Sequence, residues 1–99
     1  MGHFCSASAF DFKDFRKLND TGDCVECILA DADLNGTDLS GAGLPCADLK
    51  KANLSSANLK SADLEGAWLE DANLLKVGMN GAILCNTTMP DDSVIYSGC

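Results

Sequence analysis

Leucine recurs at every fifth position through the middle of this chain. From Leu29 the series runs Leu34, Leu39, Leu44, Leu49, Leu54, Leu59, Leu64, Leu69, Leu74, Met79 and Leu84. Two residues before each stands a small or β-branched one: Cys27, Ala32, Thr37, Ala42, Ala47, Ala52, Ala57, Ala62, Ala67, Ala72, Val77 and Ala82. The position between is usually acidic or amide, as at Asp33, Asp38, Asp48, Asn53, Asn58, Asp63 and Asn73. The unit is A-(D/N)-L-x-x, unbroken from Cys27 to Asn86. A period of five suits neither regular element. On a helix the leucines would wind around every face, and on a strand successive ones would point to opposite faces. One interior can receive them all only if the chain turns a corner about every five residues. Four short sides then make a square coil of about twenty residues, stacked about 4.8 Å from the next as in a β-ladder. Leu and the small residue point in, and the other three point out.

Each part of the motif has a physical task. Burial stabilises each interior Leu by roughly 1.5–3 kcal/mol. The small residue leaves room for the corner backbone. Asp and Asn favour turns because their side chains bond nearby backbone. Gly36, Gly41, Gly66 and Gly81, at the last position of their units, meet the same turn requirement.

These residues resemble the pentapeptide-repeat family. The resemblance implies an all-β fold, a right-handed quadrilateral β-helix, here of about three coils with a short N-terminal capping helix. It is specific for fold and says little of function, since most members have no established one. The ending Cys85-Asn86-Thr87-Thr88-Met89-Pro90-Asp91, with Ser97-Gly98-Cys99, is similar to the C-terminal cap of cyanobacterial and chloroplast-lumen members. So is the short helical lead into Cys24-Val25-Glu26-Cys27. The resemblance implies a photosynthetic organism and the thylakoid lumen or periplasm.

The chain divides into residues 1–9, a flexible tail or a targeting or expression remnant; 10–26, a capping helix and lead-in; 27–86, the repeats; and 87–99, a C-terminal cap. Solenoid ends expose apolar layers and need caps. Phe10 to Leu18 reads as an amphipathic helix with Gly22 as its stop. Phe15 and Leu18 can cover the first coil, while Phe12 and Phe15 could instead form a partner-binding stripe. A Cys85–Cys99 bridge would close a loop worth roughly 3 kcal/mol and pin Val94, Ile95 or Tyr96 over the last coil. Cys24 and Cys27 are close enough for a structural bridge, with free thiols, thiol redox chemistry or metal binding as alternatives. One C-x-x-C and His3 do not supply four zinc ligands, and a thioredoxin-like role would want a βαβ context. Cys46 and Cys85 fall on one side two coils apart, beyond disulfide reach, so Cys46 is expected free unless Cys5 finds it.

Composition narrows the function. The chain has 99 residues, six cysteines and a net charge of −8. Its length makes at most one domain. So many cysteines favour an oxidising compartment, and Ala7-Ser8-Ala9 has the form of a signal-peptidase site, without the apolar stretch that should precede it. The charge argues against nucleic-acid binding, and no apolar run is long enough for a transmembrane helix. The sole histidine is His3, so no Ser/His/Asp or Cys/His set can be assembled. No phosphate-binding glycine motif is present, and a filled coil leaves no central cleft. Neither an enzyme nor a cofactor is expected.

Folding the repeat in fours stacks Ile28, Asp48 and Trp68 in one outward column, with Ala30, Lys50, Glu70 and Asp31, Lys51, Asp71 beside it. The alternating signs suggest cross-coil ion pairs, each worth about 0–1 kcal/mol. Trp68, where Asp or Asn usually stands, is expected partly exposed; it suits a binding hot spot, and packing flat on the aliphatic stem of Lys50 or on the N-terminal segment is the alternative. The candidate partner surface is therefore Trp68, Ile28, Lys50, Lys51, Glu70 and Asp71, for an unknown protein partner of a monomeric, non-catalytic interaction module. DNA mimicry of the kind that protects gyrase, known for some members of the resembled family, is a second reading from charge and rod shape. Lys50, Lys51, Lys60 and Lys76 interrupt its negative surface.

Overall fold

Each unit closes on itself through one backbone bond. The N–H of the small residue donates to the carbonyl of the preceding Leu, as from Ala52 to Leu49 and from Ala57 to Leu54, both at 3.0 Å. The residue just before the small one has positive φ throughout. Gly36, Gly41, Gly66 and Gly81 lie at 68–77°, and Glu26, Asp31, Cys46, Lys51, Ser56, Ser61, Asp71, Lys76 and Asn86 at 57–65°. A fourth-to-first bond with positive φ at the third residue is the type II turn. These turns are the corners. Outside glycine, the left-handed backbone costs roughly 1–2 kcal/mol at each of them, a cost the stacked coils must offset.

The structure is a computed structural model and describes residues 16, 18 and 21–97. Parallel bridges join residues twenty apart. One side stacks Asp23, Gly43, Asp63 and Ile83; the second Ile28, Asp48, Trp68 and Thr88; the third Asp33, Asn53 and Asn73; the fourth Asp38, Asn58 and Gly78. The acidic or amide position also serves the corner. Its Oδ1 accepts from the backbone N–H two residues on, from Asn35 to Asp33 at 3.2 Å, Ser55 to Asn53 at 3.1 Å and Lys60 to Asn58 at 3.0 Å. Gly43 has no side chain to offer that bond, and two residues on stands Pro45, which has no N–H to need it. The leucines from Leu29 to Leu69 are all buried, and Leu74, Met79, Leu84 and Met89 pack partly buried at the far end.

The two ends close differently. Leu18 is buried in the core, Arg16, Leu18 and Thr21 are helical, and the Gly22 N–H bonds the Leu18 carbonyl at 2.9 Å. The rest of the helix expected over residues 10–18, with Phe10, Phe12 and Phe15, lies outside the described residues. At the other end β1 (Leu84–Thr88) pairs antiparallel with β2 (Val94–Ser97), with a register shift between Cys85 and Thr87. Between them Asp92 donates to Met89 at 2.9 Å and Met89 to Ser93 at 2.7 Å, around Pro90.

The repeat register does not stop at Asn86. Thr87 takes the small position, fully buried, and its Oγ1 donates to the Leu64 carbonyl at 2.6 Å, so its hydroxyl is satisfied inside. Rather than lying over the last coil, the tail runs beside β1, leaving Val94 and Tyr96 exposed and Ile95 half-buried.

β2 covers only the corner between the first and second sides. Upstream, each Leu N–H and each corner N–H bonds the coil below, as Leu54 to Asn73, Ser56 to Leu75, Leu59 to Gly78 and Ser61 to Asn80. In the last turn, among the described residues, the N–H groups of Leu74, Lys76, Met79 and Gly81 have no partner, nor do the carbonyls of Ala72 and Val77. The third and fourth sides thus end in an open edge.

Candidate functional site

The second side carries the most varied outward chemistry. Trp68 is half-buried, and the Lys50 ammonium lies over its ring, 5.4 Å from the centroid, within cation–π range. Asp48 sits in the ladder between Ile28 and Trp68. It is 2% exposed, buried although its position points outward. Its Oδ1 accepts from the Lys50 N–H at 3.1 Å. Trp68 holds an Asp/Asn position and cannot make the equivalent bond to residue 70. Glu70 Oε1 is buried without a hydrogen-bond partner.

The ion pairs expected across coils are absent. Among the described residues none of Asp31, Lys50, Lys51, Glu70 and Asp71 makes a salt bridge. An exposed pair contributes little, and the indole face competes for the nearer lysine. Asp31, Lys51 and Asp71 are exposed at their corners and Ile28 is half-buried. The structure therefore brings Trp68, Lys50 and Glu70 to one side, with Asp48, which the sequence placed in the column but not in the surface set.

Cys24 and Cys27 are joined by a disulfide, with Cα atoms 5.2 Å apart. Cys24 stands at a Leu position and Cys27 at the small one, and the Cys27 N–H bonds the Cys24 carbonyl at 3.3 Å. The bridge clamps the first corner with both side chains buried, so neither sulfur is presented for exchange. Cys46 and Cys85 are also disulfide-bonded, so Cys46 is not a free thiol, the state expected of it unless Cys5 reached it. Both their partners, and Cys99 of the expected Cys85–Cys99 pair, lie outside the described residues, as does His3. Among the described residues no group of three or more His, Cys, Asp or Glu could hold a metal ion, and no helix is long and apolar enough to cross a membrane.

Two exposed carboxylates are tuned by neighbouring serines. The Ser40 hydroxyl, and then its N–H, hold Asp38 below the usual carboxylate range. Ser93 does the same for Asp91, hydroxyl first.

Comparison with known proteins gives the following. The chain matches the family model described as pentapeptide repeats, in eight copies, over residues 23–55 and 52–89. It is similar to HetL, a pentapeptide repeat protein involved in heterocyst differentiation regulation from Nostoc sp. strain PCC 7120, at 34% identity and a TM-score of 0.53, over 74% of this chain and 32% of HetL. It is also similar to alr5209, a pentapeptide repeat protein of Nostoc PCC 7120, at 37% identity over 67% of this chain and 60% of that one, with a TM-score of 0.31. Rfr23 of Cyanothece 51142 shares 20% identity over 71% of this chain and 92% of its own, with a TM-score of 0.34. No curated protein matches.

Proposed function

Because the chain belongs to the pentapeptide-repeat family, whose members form right-handed quadrilateral β-helices, we propose that it is a non-catalytic structural and protein-interaction module, a monomer that docks a protein partner through the side bearing Trp68. The observation that carries this reading is the filled interior. Leu29 to Leu69 and the alanines beside them occupy the axis of the coil, so recognition falls to the outer surface. On that surface Trp68 is the one tryptophan, and it takes a position where the motif places Asp or Asn. Tryptophan there gives up the corner bond to residue 70, a local cost that contact with a partner would offset. Lys50 and Glu70 beside it supply a cation and a carboxylate.

The Cys24–Cys27 disulfide supports an oxidising compartment, the thylakoid lumen or periplasm. The N-terminal helical segment acts as the cap of the first coil, with Leu18 as its plug.

The test replaces Trp68 by the residue of the motif. Trp68→Asn supplies an acceptor for the residue 70 N–H and keeps the fold. The oxidised protein, immobilised, is expected to capture a partner from a cyanobacterial lumenal or periplasmic extract, and Trp68→Asn is expected to lose it at little cost in thermal midpoint. Capture retained by the variant would refute docking through this side.

A further inference from the structure

The open edge of the last turn has a chemistry of its own. In the register of the coils above, the groups that would bond a further coil are four N–H donors, at Leu74, Lys76, Met79 and Gly81, and two carbonyls, at Ala72 and Val77. Behind that edge Leu74, Val77 and Met79 are only partly buried, while Leu34, Leu54, Leu39 and Leu59 above them are buried. Leu75 is 65% exposed. From Asn73 to Pro90 the only charged side chain is Lys76, on a chain of net charge −8. Edges left bare are usually blunted by charges, Pro or bulges because they template pairing. This edge has a single lysine for its protection.

We propose that this edge accepts an extended, corner-turning segment of a partner protein, net negative, carrying two leucines five residues apart. The geometry of the occupant follows from the coils above. Every upstream Leu N–H and corner N–H is bonded to a carbonyl of the coil below. The occupant must therefore supply four carbonyls in the same spacing, two on each side of a corner. Its two leucines would then roof Leu74 and Met79, continuing their columns. Its negative charge would meet Lys76. Recognition by strand addition uses main-chain bonds for affinity and side-chain pockets for specificity.

A second copy of this chain is a poor occupant. Two such edges meeting about a two-fold axis would set donor-rich against donor-rich and leave N–H groups unsatisfied. The acceptor-rich edge of the first turn, over residues 32–41, belongs to the end that buried Leu18 plugs.

The proposal rests on the interaction-module reading but uses a different surface from Trp68, and the test separates the two. The probe is a synthetic ten-residue peptide copying residues 32–41, Ala-Asp-Leu-Asn-Gly-Thr-Asp-Leu-Ser-Gly, titrated at millimolar concentration into the intact, oxidised, isotope-labelled protein. Amide resonances of Leu74, Lys76, Met79 and Gly81 are expected to shift saturably, and a scrambled peptide is expected to move none of them. Lys76→Glu is expected to weaken binding roughly threefold to tenfold, and Trp68→Asn to leave it unchanged. Absence of saturable shifts at those four amides, or equal shifts with the scrambled peptide, overturns the proposal. So does sedimentation showing that the protein fills the edge by self-association. Loss of peptide binding in Trp68→Asn would move the site to the second side and support that reading instead.

Discussion

Leu54 and Leu74 occupy one interior column, one coil apart, and differ mainly in what lies beneath them. Leu54 is fully buried between Leu34 and Leu74, whereas Leu74 has the open edge below it and is half-buried. Truncation to Ala removes three carbons, about 2.4 kcal/mol of transfer free energy at full burial. The coils above and below Leu54 are held in register by the ladders and cannot close in, so a cavity term of roughly 1–2 kcal/mol adds to this. Leu54→Ala should therefore cost about 4 kcal/mol. Leu74 already has part of its surface in water, and water or neighbouring side chains can enter the space it leaves, so Leu74→Ala should cost about 1–2 kcal/mol. Against a total stability of about 5–15 kcal/mol for a domain of this size, the two variants separate clearly. Urea unfolding followed by far-UV circular dichroism, with disulfides oxidised, measures both, and unchanged m-values would show that the denatured state is not responsible. Equal losses at the two positions would refute the reasoning, because the last turn would then be as well covered as the middle.

Two further outcomes follow from the corners. Gly41 has φ 69° and a Cβ there would meet no atom within 4 Å, so Gly41→Ala isolates backbone strain. It should cost about 1 kcal/mol after the entropy gained from a stiffer unfolded chain, and a neutral result in urea unfolding would contradict the turn assignment. The Asp38 carboxyl is held low first by the Ser40 hydroxyl and then by its N–H. Its folded pKa lies below its unfolded one, so its contribution is present above the ordinary value and is lost as pH falls through the folded value. Ser40→Ala should raise the Asp38 midpoint part of the way back in an NMR titration; an unmoved midpoint would remove the hydroxyl as the cause.

The period-five row of leucines made the interior legible, because only a chain that turns at each unit keeps Leu29 to Leu69 dry. The twenty-residue columns were legible for the same reason, and Ile28, Asp48 and Trp68 do lie in one ladder. Side-chain choices within a column were legible only in part. Lys50 sits over the Trp68 ring, one of the two packings the column offered for Trp68, but the missing ion pairs and the burial of Asp48 depend on what surrounds the column, which periodicity does not encode. Thr87 fills the small position as Thr37 does, with its hydroxyl on the Leu64 carbonyl; in the sequence the unit reads as part of the C-terminal cap because the ending from Cys85 to Asp91 resembles one. The tail could not be placed from sequence either. Val94, Ile95 and Tyr96 are apolar enough to roof the coil, but pairing with β1 satisfies their backbone and leaves Tyr96 exposed. Whether Cys46 is free or bonded could not be read from the repeat, because its partner lies outside the described residues.

Because bridges join residues twenty apart, changes in length are quantised. Duplicating one unit of five would rotate everything downstream by a quarter turn, moving Trp68 off the Ile28–Asp48 ladder and β1 to another wall. Duplicating four units would lengthen the rod by one storey and leave every wall as it was. Insertions that survive in this architecture should therefore come in multiples of the full circuit, or lie beyond the last storey, where no wall remains to be misaligned.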